Sequence, residues 1–111
     1  MRFPVATIVL GLVLATTGPA FGQDTGLSSL HAKVRVGSKL CFADHSHSGN
    51  SSGQRSRKAA EVEAIRNWQD FTALEYGRAW GSFSLAVGKS IECSGGGSWS
   101  CSVEGRPCRG R

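Results

Sequence analysis

The side chains best suited to chemistry sit together near the middle of the chain, in Asp44-His45-Ser46-His47, with His31 as the only other histidine. Imidazole and carboxylate are ligands for zinc, copper and nickel. Two histidines two residues apart share one face of an extended segment. The segment therefore nominates a metal-binding role centred on Asp44, His45 and His47. A complete zinc site takes three or four protein ligands, so the plainer expectation is a polar loop whose Asp44 accepts hydrogen bonds from nearby backbone N–H groups. A histidine beside a carboxylate can also act as an oriented general base. A hydrolase would further need a nucleophile and an oxyanion site. Ser46, Ser48, Ser51 and Ser52 lie in low-complexity sequence without a G-x-S-x-G elbow. The expectation is a non-enzymatic protein with no catalytic residue and no cofactor.

The cysteines are the second chemically informative set. Met1 and Arg2 precede an apolar run from Val5 to Ala15, followed by small residues up to Gly22. This is the pattern of a secretory signal peptide cleaved before Gln23, and it is too short to span a bilayer comfortably. Residues 1–22 are thus expected to be removed, with no stable membrane span afterwards. Localisation follows as periplasmic or extracellular. Cys41, Cys93, Cys101 and Cys108 all belong to the mature part. Four cysteines in an oxidising compartment read as two disulfides. A four-cysteine zinc site would usually show paired C-x2-C spacings, which are missing. Four cysteines allow three connectivities. Cys93 and Cys101 bracket a glycine-rich turn and could face each other across it, which would leave Cys41 to pair with Cys108.

Thirteen basic residues stand against eight acidic ones, a net charge of +5, or +4 once Arg2 leaves with the signal peptide. Two basic groups stand out: Arg55, Arg57 and Lys58, then Arg106, Arg109 and Arg111. Lys33, Arg35 and Lys39 add a further stripe. Cationic surface attracts polyanions. Export makes intracellular nucleic acid a poor partner, and an anionic envelope polysaccharide or an envelope protein a better one. Basic residues at a helix start oppose the helix dipole, which favours a purpose such as anion binding there.

The element that must position these groups is one amphipathic helix over Ser56–Gly77. Ala60, Ala64, Trp68, Phe71 and Leu74 fall on one stripe at about 100° per residue, with Ile65 on its flank. Ala64, Trp68, Phe71 and Leu74 are the expected core. Ser56 reads as the N-cap and Gly77 as a left-handed C-terminal residue. Glu63, Arg66 and Asp70 have the spacing for surface pairs. Residues 23–31 read as a flexible lead. Residues 32–42 alternate as one half-buried strand, kinked or bulged at Gly37–Ser38. Residues 43–54 read as a loop. After Gly77 the spacing predicts a short helical piece near Trp80, then a strand covering Lys89–Cys93, a Gly-rich turn and a strand over Trp99–Glu104. Trp80 and Trp99 are the aromatics whose exposure would mark a stacking surface. Residues 109–111 form a basic tail. The order strand, helix, strand, strand predicts a single small α+β domain over residues 32–108, with the helix on one antiparallel sheet. The sheet's other face would be polar or covered by dimerisation. A mature chain of this size needs its disulfide staples.

Three stretches, CFADHSHSGNSSG, AIRNWQDFTALEYGRAW and WSCSVEGRPC, together resemble a group of small exported proteins of alphaproteobacteria. The resemblance spans roughly Leu40–Cys108. It implies an exported single-domain protein and brings no catalytic residue with it.

Overall fold

The computed structural model describes residues 26–110 and, singly, residues 2, 4 and 11. The rest of the expected signal peptide, residues 23–25 and Arg111 lie outside the described residues. The fold is α+β. A twenty-residue helix, α1 (Arg57–Tyr76), meets two three-stranded antiparallel sheets. Strands β1 (Lys33–Val36), β2 (Lys39–Phe42) and β6 (Cys108–Arg109) form one, in the order β1-β2-β6. Strands β3 (His47–Asn50), β4 (Val87–Gly95) and β5 (Trp99–Arg106) form the other, in the order β3-β5-β4. Pro107 alone separates β5 from β6, so the chain crosses from one sheet to the other within a single residue. The disulfides are Cys41–Cys108 and Cys93–Cys101. Each joins residues paired directly across a ladder, the first in β2–β6 and the second in β4–β5. Among the described residues no helix is long and apolar enough to cross a membrane.

Helix α1 begins where the sequence places it. The Ser56 side chain accepts from the Ala59 backbone N–H at 3.1 Å. Arg66 pairs with Glu63 at 3.0 Å, and Arg57 with Glu61 at 3.2 Å. Its buried residues are Ala60, Ala64, Trp68, Thr72 and Tyr76, every fourth position. Phe71 and Leu74, expected in the core, are instead 50% and 78% exposed. The expected stripe assumes a helix lying along one flat surface. α1 instead crosses two clusters in turn, so its buried line follows the slanted ridge formed by residues four apart. The first cluster gathers Ala60, Ala64 and Trp68 with Phe83, Ala86, Cys101 and Val103. The second gathers Tyr76 with Phe42 and Trp80. At its far end the helix stops on Gly77, whose φ of 109° and ψ of 155° are positive-φ but extended, not left-handed helical. That region is open essentially to glycine alone. The chain then enters 3-10 turns at Arg78–Trp80 and Phe83–Leu85.

Four further expectations are corrected. The single strand over residues 32–42 is a hairpin, because Gly37 takes φ 61° and reverses the chain between β1 and β2. The supposed loop 43–54 contains β3, whose four residues all pair with β5. The lead is structured from Gly26 onward: Ser28–Leu30 forms a 3-10 turn and Ser28 is fully buried. Arg109, placed in a free tail, belongs to β6.

Candidate functional site

The histidines arrive from two stretches of chain. His31 follows the N-terminal 3-10 turn, His45 lies in the connection after β2, and His47 opens β3. Alternation along β3 buries His47 and Gly49 and exposes Ser48 and Asn50. The backbone of His47 is fixed by Trp68, whose Nε1 donates to the His47 carbonyl at 2.9 Å. The His47 ring reaches the C-terminal end of α1. Its Nε2 lies 2.9 Å from Tyr76 Oη and 3.0 Å from Glu75 Oε2. Burial holds the His47 pKa below the ordinary histidine value, partly offset by the Glu75 carboxylate. Burial, reinforced by Glu75, pushes the Tyr76 phenol up to about 12.

The remaining rings complete an aromatic cluster. His31 stacks on Phe42 at 4.9 Å and on His45 at 4.5 Å, and sets its edge to Tyr76 at 5.5 Å. His45 meets His47 edge-on at 5.3 Å. His47 leans on Phe71 at 5.9 Å, which accounts for that residue's place at the rim and not in the core. Lys33 Nζ donates to the carbonyls of Ser28 and His31 at 2.6 and 3.1 Å, pinning the N-terminal turn beside the rings.

Of the expected metal group, His45 and His47 are brought together while Asp44 is exposed. The histidines engage through ring faces and edges. Among the described residues no group of three or more His, Cys, Asp or Glu is arranged to hold a metal ion. Glu75 and Tyr76 were absent from the sequence-derived site. The signal for Tyr76 is its place two helical steps beyond Trp68 in the every-fourth ridge, immediately before the helix-ending Gly77.

No family model, curated protein or solved structure matches the chain.

The basic residues divide differently from their grouping in sequence. Arg106 Nη1 donates to the carbonyls of Phe42 and Ala43 at 2.7 and 2.8 Å, clasping the end of β2. Arg109 lies over the Trp80 ring at 5.8 Å. Lys39 Nζ donates to the Leu85 carbonyl at 2.9 Å. These cations act as internal fasteners. Arg55, Arg57 and Lys58 are exposed at the start of α1, whose first turn contains no acidic residue.

The tryptophans offer no open ring. Trp80 is fully buried, and Gly95 lies against the half-buried Trp99 ring so closely that a Cβ there would come within 2.8 Å of it. The outer face of the β3-β5-β4 sheet is polar. Ser102 donates to Asn50 at 2.9 Å, Ser48 to Glu104 at 3.4 Å, and Ser94 bonds Ser100 at 3.2 Å.

Proposed function

We propose that this is an exported, non-enzymatic binding domain whose cationic helix start engages anionic polymers of the cell envelope. The observation that carries the reading is the exposure of Arg55, Arg57 and Lys58 at the N-terminus of α1 with no acid in its first turn, although Arg57 also pairs with Glu61 one turn on. A helix N-terminus already carries about half a positive charge and unpaired N–H groups. Adding cations there works against the helix and favours an anion held in front of it. Arg106, Arg109 and Lys39 add to the positive field, but their contacts are within the domain. Paired disulfides in both sheets are in keeping with an oxidising compartment.

The test is retention on heparin and on dextran sulfate, eluted with a salt gradient. The native protein elutes late, and an Arg55→Ala/Arg57→Ala/Lys58→Ala variant elutes at clearly lower salt with unchanged circular dichroism. Equal elution of the two proteins removes this surface from consideration. Retention insensitive to salt points to contacts other than exposed charge and removes the electrostatic reading, since screening weakens exposed charge interactions.

A further inference from the structure

The two disulfides differ in what a reagent in solution can reach. Cys41 and Cys108 are both fully buried, whereas Cys93 is half-buried and its partner Cys101 is 4% exposed. Cys93 belongs to β4, which pairs with β5 alone and forms a border of its sheet. We propose that Cys93–Cys101 is a thiol-exchange site: a low-molecular-weight thiol attacks Cys93 Sγ, forms a mixed disulfide there and frees Cys101, while Cys41–Cys108 stays closed.

Exchange proceeds by attack of a thiolate on one sulfur, in line with the S–S bond, as the other sulfur departs. The Cys93–Cys101 bond runs from β4 to β5, because the two residues oppose each other across the ladder. An in-line approach to Cys93 Sγ comes from beyond β4, where no described strand lies. The same approach to Cys101 Sγ comes from within the sheet, where Ala60, Ala64 and Val103 pack without exposure. In the other sheet a border strand also carries a cysteine, Cys108 of β6, but its full burial closes that route. In the step itself the incoming sulfur bonds to Cys93 Sγ and is oxidised. The Cys93–Cys101 bond breaks with its electron pair on Cys101 Sγ, which is reduced and takes up the proton that the incoming thiol lost.

The departing sulfur lies against the first turn of α1, 3.9 Å from the Arg57 carbonyl oxygen. The positive end of the helix favours the thiolate as it leaves, and the thiol formed from it donates to that carbonyl. Ser51 fixes the Cys101 backbone on both sides: its Oγ accepts from the Cys101 N–H at 3.1 Å, and its N–H donates to the Cys101 carbonyl at 2.9 Å. The pairs Glu92–Ser102 and Ser94–Ser100 flank the disulfide along the hairpin. Cys101 therefore stays opposite Cys93 after the bond opens, and it expels the attached thiol again when free thiol is withdrawn. The exchange is reversible and leaves the fold standing.

The experiment exposes the folded, disulfide-intact protein to rising concentrations of reduced glutathione at neutral pH, then blocks free thiols with N-ethylmaleimide. Peptic digestion in acid and tandem mass spectrometry locate both labels. The expected result is glutathione on Cys93, maleimide on Cys101 and an intact Cys41–Cys108 bond, with unchanged circular dichroism. Cys93–Cys101 should open roughly tenfold or more faster than Cys41–Cys108, since exchange follows access. Diluting the glutathione away before blocking should restore the Cys93–Cys101 bond. Glutathione found first on Cys101, or both disulfides opening at one rate, overturns the proposal. So does the lack of any adduct while the circular dichroism stays native, or an adduct that persists after dilution.

Discussion

Gly49 passes beneath α1 in such close contact with Trp68 that a Cβ at this strand position would fall 2.6 Å from the Trp68 Cβ. Helix and strand meet backbone to backbone, with no side chain between them. The same approach lets Trp68 reach the His47 carbonyl. Gly49→Ala is therefore expected to force α1 off β3 and cost about 1–3 kcal/mol or more. Thermal denaturation would show this as a Tm lowered by roughly 4–8 °C per kcal/mol. An unchanged Tm would mean that helix and sheet separate more readily than this contact implies.

Arg106 and the helix-start cations should separate stability from binding. Arg106→Ala leaves the Phe42 and Ala43 carbonyls without their donor, at an expected cost of about 1–3 kcal/mol in urea denaturation. Its salt of elution from heparin should fall less than that of Arg55→Ala/Lys58→Ala, which in turn should leave the urea midpoint unmoved. The reverse pattern would place the binding surface at the end of β5.

The two disulfides close loops of very different length. Cys93 and Cys101 are 8 residues apart, and Cys41 and Cys108 are 67 apart. Chain-entropy arithmetic gives about 2.5 kcal/mol for the short loop and about 4.4 kcal/mol for the long one. Paired Cys→Ser variants at 41 and 108 should thus unfold at lower urea than those at 93 and 101. Equal midpoints would show that the unfolded chain is already compact around the longer loop.

Stability should also fall on acidification. The folded His47 has a pKa below its unfolded value of about 6.5. The unfolded state then binds a proton that the folded state resists, so this stabilisation is complete above about pH 6.5 and is lost as pH falls through and below that value. The slope is at most about 1.4 kcal/mol per pH unit for one proton. His47→Gln should flatten the urea midpoint against pH in that window. A profile as steep as the native one would assign the dependence to other groups.

What the sequence discloses and what it hides follow from the range of the forces involved. The Ser56 cap, the Cys93–Cys101 hairpin and the helix body rest on contacts within a few residues, and local pattern reports them. Strand β3 has no such pattern: His47-Ser48-Gly49-Asn50 becomes a strand because β5 pairs with it and because Gly49 lets α1 settle on it. The place of Tyr76 in the core, and of Phe71 and Leu74 outside it, depends on a helix that leaves one cluster for another. The histidine cluster is likewise a product of tertiary folding, since His31 is fourteen residues from His45 in sequence and stacked on it in space.

Strand β4 leaves one side of its backbone unpaired at the border of its sheet. An exposed border of this kind invites another chain to add itself and seed aggregates. Here the ladder slips between Val87 and Ser90, Gly88 takes φ 62°, and Lys89 and Glu92 flank the half-exposed Ile91. The slip and the two charges interrupt the straight, uncharged template that such growth requires. That border can therefore stay open to solvent without offering a ready template, beside a sheet whose outer face is polar.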